Sequence, residues 1–186
     1  MQPYSDTTIA TERRRADQVG RVLRVAGLVI FALWVARYMR EPEPLLHGSL
    51  LIFHEAGHVL FMPFGEFVMV LGGSLFQLMV PAFFVGYFMR RRDWYAAAIA
   101  ALYLAASFDG VARYIADARA GDLELLGGER SNHDWTFLLI EMGMLERDLV
   151  IGRLVRAVGF LVYGAAALVG LNAALSRRDP RLDLPE

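Results

Sequence analysis

His54, Glu55, Ala56, Gly57 and His58 follow the pattern H-E-x-x-H. On a helix, positions i and i+4 share one face a turn apart, so the two imidazoles can bind one zinc ion. Glu55 between them can take a proton from a water on that ion. Zinc brings the pKa of such a water to about 7, which makes hydroxide available at neutral pH. From average residue usage, the pattern arises by chance in fewer than about one in a hundred chains of this length. Its setting adds weight. Residues 45–64 are apolar apart from His47, Ser49, His54, Glu55 and His58, and ionisable groups are costly in hydrocarbon. The competing reading is a set of buried His and Glu side chains satisfied by neighbouring helices, with no metal.

The rest of the composition narrows the chemistry. The 186 residues include no Cys, and all 19 basic residues are Arg. Cys-ligated zinc, thiol nucleophiles, Schiff-base lysines and P-loop lysines are therefore excluded. The only histidines outside the motif are His47 and His133. Four histidines are too few for the di-iron sites of membrane desaturases, which use the spacing H-x-x-x-H. An E-x-x-H di-iron bundle needs further Glu-bearing helices, which the sequence lacks. A net charge of −1 implies no basic face, so nucleic acid is not an expected partner.

The elements that must carry the motif read as membrane spans. The chain is 56% hydrophobic with 21% charged residues, so its charges must cluster. Residues 1–20 are polar and predict a disordered or surface-lying tail. Residues 22–38 are long enough to span as a signal-anchor helix. Glu41, Pro42, Glu43 and Pro44 break the chain before the His-bearing segment. Residues 65–73, bracketed by glycines and containing Val68 and Val70, predict a short strand or re-entrant piece. Residues 74–89, 94–118 and 149–175 predict further helices. Residues 119–134 predict a polar loop, and 135–144 a short interfacial helix capped by Asn132 or Asp134. The expected fold is all-α and polytopic, with four to five transmembrane helices and the short re-entrant strand. A single membrane domain over 21–176 is flanked by polar tails at 1–20 and 177–186. If the His-bearing segment crosses, Arg90–Arg92 lie opposite the N-terminus; if it is re-entrant, they lie on the N-terminal side. A multi-pass protein of a lipid bilayer, of the bacterial inner-membrane kind, is expected, with no oligomeric state implied.

The chain resembles the site-2 protease family of intramembrane zinc metalloproteases over residues 45–120. That family carries H-E-x-G-H on a transmembrane helix, as His54–His58 do, followed by a Gly-bounded membrane-embedded strand. A later helix supplies a D-G pair, which Asp109 and Gly110 match. The resemblance is to a small, divergent member, with Ala105, Ala106 and Ser107 where the family usually has Asn and Pro. It implies a zinc peptidase acting on an integral membrane protein, with His54 and His58 as ligands and Glu55 as general base.

Two residues compete for the third ligand. The resemblance implies Asp109, whose alternative is a pair with Arg113 one turn on. Imidazole chemistry favours His133, in a Gly-containing loop able to fold back, with Asp134 orienting its ring. The alternative for Asp134 is an N-cap, and for His133 an ordinary loop position. His47 is expected at the membrane surface. For the substrate, residues Glu66, Phe67, Val68, Met69, Val70 and Leu71 are the candidate strand edge to pair with an extended peptide. Gln77 is a candidate hydrogen-bond donor to it. Two rival functions stay open: a zinc site that binds a partner or holds the fold without proteolysis, and a hydrolase of a lipid-like substrate.

Overall fold

The computed structural model describes residues 6–123 and 133–176. Among these, all regular structure is helical: α1 (Asp6–Tyr38), α2 (Pro44–Phe61), α3 (Glu66–Arg90), α4 (Trp94–Ala116), α5 (Asp134–Glu141) and α6 (Asp148–Leu175). Single 3-10 turns at Met62–Phe64 and Leu145–Arg147 lead into α3 and α6. The fold is all-α and polytopic. Five helices are long and apolar enough to cross a membrane.

Local chemistry sets the boundaries. Glu43 caps α2 by accepting the N–H groups of Leu45 and Leu46, at 3.2 and 2.6 Å, and Pro44 supplies the first helical φ. Asp93 caps α4 through the N–H of Ala96 at 3.0 Å. Gly65, at φ 93°, makes the turn into α3 that a side chain would strain.

Two expectations are corrected here. Residues 66–71 form no strand: Met69 N–H bonds to Gly65 C=O at 2.9 Å and the helix runs on to Arg90. No second strand exists among the described residues to pair with it, so the helix satisfies its backbone despite Val68 and Val70. The N-terminal tail is likewise helical from Asp6, because residues 6–20 contain no proline and continue straight into the span. Residues 1–5, 124–132 and 177–186 lie outside the described part.

Cross-helix contacts fix the direction of each span. Tyr95 donates to Arg24 C=O at 2.9 Å, and Arg113 to Met39 C=O at 2.8 Å, so α4 runs parallel to α1. Arg24 reaches Ser176 C=O, Tyr163 reaches Ala32 C=O and Arg156 reaches Met39 C=O, so α6 runs antiparallel to both. Gln77 meets Ser107, while the α3–α4 link is only three residues, so α3 and α4 form an antiparallel hairpin. One end of the bundle therefore collects the starts of α1 and α4 and the ends of α3 and α6. The opposite end collects the end of α1 and the start of α3. The chain between Met39 and Glu66 leaves and returns at that opposite end. Both ends of the segment carrying α2 therefore lie at one end of the bundle, and Arg90–Arg92 lie at the end where α1 starts.

Close backbone packing holds α6 on α4. A Cβ at Gly152 would sit 2.8 Å from Ala112 O, and one at Gly159 3.0 Å from Phe108 Cβ. Such small-residue contacts are how helices gain packing where lipid offers no hydrophobic drive. Asp109 adds a polar rivet. It is fully buried, with Arg113 Nε 2.7 Å from Oδ2 and Arg156 Nε 2.8 Å from Oδ1. Both guanidiniums also donate to Met39 C=O, and Arg113 to Tyr38 C=O, satisfying the last carbonyls of α1.

Candidate metal centre

The H-E-x-x-H residues occupy the last turns of α2, and α3 comes unusually close to them. A Cβ on Gly57 would collide with Gly72 O and lie 2.9 Å from Gly73 Cα. One on Gly73 would lie 2.6 Å from His58 Nε2 and 2.8 Å from His54 Nε2. Two glycines thus bring the α3 backbone against both imidazoles.

The third member comes from α5. His54 Nε2 is 2.9 Å, and His58 Nε2 3.2 Å, from the same oxygen, Asp134 Oδ2. Ligand atoms of His54, His58 and Asp134 lie within 4.8 Å of one another. Burial works against the charge of Asp134, but the two facing imidazoles outweigh it and hold its carboxyl below the ordinary carboxylate range.

The donor set fits a divalent metal. His58 Nδ1 lies 3.0 Å from Met69 C=O, and a carbonyl only accepts, so Nδ1 carries the proton. His58 Nε2 then faces the carboxylate oxygen, and a cation between them would take the place of a proton there. Tetrahedral zinc with N and O ligands spaces its ligand atoms about 3.3 Å apart, close to the separations here. The Met69 carbonyl is the kind of outer partner that orients a ligating imidazole. Glu55 lies on the exposed side of α2.

Comparison with family models, curated proteins and solved structures returns no match.

Asp134 is held from several sides. Its N–H donates to Tyr114 Oη at 3.1 Å, and the Tyr114 ring packs between His54 and His133. Trp135 Nε1 donates to Ser74 Oγ on α3 at 3.0 Å, and Thr136 Oγ1 donates to Ala118 C=O. His133 caps α5: its Nδ1 accepts the Thr136 N–H at 3.3 Å. Its Nε2 consequently carries the proton and donates to Asp117 Oδ2 at 3.3 Å.

Several expected roles change. Asp109 faces Arg113 and Arg156, not the histidine pair, because those cations and the α1 carbonyls claim it. His133 has both nitrogens engaged, Nδ1 in capping α5 and Nε2 on Asp117, so it stands behind Asp134, the reverse of the expected arrangement. The α5 cap is His133 itself, not Asp134; Asn132 lies outside the described residues. Glu66, Phe67, Val68, Met69, Val70 and Leu71 offer no strand edge, since they are helical, although Met69 C=O supports His58. Gln77 is buried and donates to Ser107 C=O at 3.4 Å, so it is occupied in helix packing. His47 is exposed beside Tyr38 Oη, 3.4 Å away. Sequence reasoning placed Asp134 behind His133 rather than against His54 and His58, and missed Tyr114 and Gly73 altogether. The one signal for Asp134 was its carboxylate at the start of a short apolar helix beside the other candidate.

Proposed function

We propose that this protein is an intramembrane zinc metallopeptidase, similar in chemistry to the site-2 protease family, that hydrolyses a peptide bond of an integral membrane protein. The convergence of His54, His58 and Asp134 beside the exposed Glu55 carries the reading. The two imidazoles and one carboxylate would hold the ion and leave a position for water. When bound, zinc supplies Lewis acidity and lowers the pKa of a bound water. Glu55 accepts a proton from the attacking water and returns it to the leaving amine. The water oxygen bonds to the carbonyl carbon, the C–N bond breaks, and a carboxylate and an amine result. A purely structural zinc site has no use for such a base.

One observation favours a second reading, a metal site that holds the fold without proteolysis. Asp134 also ties α5 to α2, as a structural staple would. Purified Glu55→Gln separates the two. The peptidase reading expects bound zinc to match the unchanged protein while turnover of membrane-protein substrates is lost. Unchanged turnover in Glu55→Gln would sink it.

A further inference from the structure

The depth of the cluster carries a statement about what reaches it. Tyr114, which packs on His54 and meets the Asp134 N–H, stands two residues before the end of α4 at Ala116. Polar residues begin at once: Asp117 accepts N–H groups of Asp122 and Leu123, and Arg119 pairs with Asp148 and Glu146 at the start of α6. The other polar layer, at Arg90–Asp93, lies twenty residues of α4 away, about 30 Å. The cluster therefore sits within about a turn of one membrane boundary, far from the midplane.

Among the described residues, nothing is placed to pair with an unwound peptide in hydrocarbon. A segment opened there needs partners for its backbone groups, and the described residues present no strand edge. At the boundary, water serves. Beside Glu55, the outer face of α2 exposes Ile52 (69%) and Val59 (68%), with Met62 and Phe64 beyond, an apolar strip suited to the adjoining span of a substrate.

We infer, resting on the peptidase reading, that the substrate is the juxtamembrane stretch of a single-span or multi-span protein, cut at the boundary on the face opposite the start of α1.

The chain has no Cys, so single cysteines report position directly. Ala56→Cys, Met62→Cys, Leu123→Cys and Arg91→Cys are labelled in sealed vesicles with a membrane-impermeant maleimide. The first three are expected to react from one face and Arg91→Cys only from the other. Ala56→Cys that reacts from neither face, or together with Arg91→Cys, overturns the location. In parallel, the full-length protein with zinc is mixed in liposomes with single-span peptides carrying one flexible segment at mid-span, at one boundary or at the other. Mass spectrometry is expected to find at least a tenfold preference for the boundary on the Leu123 face, absent in Glu55→Gln. Preference for the mid-span peptide overturns the substrate assignment. Fatty-acid release from the liposomes without peptide cleavage overturns it in favour of a lipid. No cleavage of any peptide, with labelling as expected, overturns the peptidase reading while the location stands.

Discussion

His58 and Met69 form the hinge of the site: the Nδ1–H of one donates to the carbonyl of the other at 3.0 Å, across the α2–α3 interface. The bond fixes the tautomer and turns Nε2 toward Asp134 Oδ2, 3.2 Å away. A helix start that the sequence reads as a strand thus supports the candidate metal centre through its backbone.

Asp109 is expected to matter for stability and not for metal. Asp109→Asn removes the charge shared by Arg113 and Arg156 and leaves these half-buried guanidiniums with only the α1 carbonyls. Because both stay partly exposed, the cost falls below the roughly 3–5 kcal/mol of breaking a fully buried pair. Thermal unfolding in detergent should shift down clearly, while zinc bound per folded protein stays level with the unchanged chain. Loss of zinc from a still-folded Asp109→Asn would return Asp109 to the ligand set.

Gly73→Ala is expected to damage the metal site more than the fold. The new Cβ would sit 2.6 to 2.8 Å from His58 Nε2, His58 Cε1 and His54 Nε2, so the ring nitrogens must move. Zinc affinity should fall by more than roughly 100-fold, the upper range for residues that only support a ligand. Gly164→Ala is the control, because a Cβ there meets nothing within 4 Å. Equal zinc affinity in the two variants would contradict the close approach of α3.

Much of this fold is legible because its signals are local. Apolar runs bounded by Arg clusters mark α1, α3, α4 and α6, and H-E-x-x-H marks the face of α2. The third member of the candidate site was not legible: the sequence offered Asp109 or His133, and Asp134 only as the residue beside His133. Arg113 is four residues from Asp109 and visible, but Arg156 and the α1 carbonyls join it only in three dimensions. Residues 66–71 misled for a related reason. Valines and flanking glycines favour a strand locally, but a strand without a partner cannot satisfy its backbone in hydrocarbon, and the helix wins.

The last prediction separates a ligand from the residue that holds it. His133 caps α5 through Nδ1 and anchors to Asp117 through Nε2–H, so on the proposed reading it would act on metal only by fixing Asp134. His133→Ala removes a cap worth about 1 kcal/mol. If metal binding must restore that order, zinc affinity drops about fivefold, since 1.4 kcal/mol is tenfold. His133→Asn keeps an oxygen for the Thr136 N–H and an amide to donate toward Asp117, so it should recover most of the loss. Asp134→Asn keeps the helix and the Tyr114 contact but weakens the shared ligand oxygen, and no change at position 133 can rescue it. Isothermal titration of metal-free protein with zinc measures all three. The order expected is the unchanged chain nearly equal to His133→Asn, then His133→Ala, with Asp134→Asn far weaker. If His133→Asn binds as poorly as Asp134→Asn, then His133 ligates the metal directly and the two residues exchange roles.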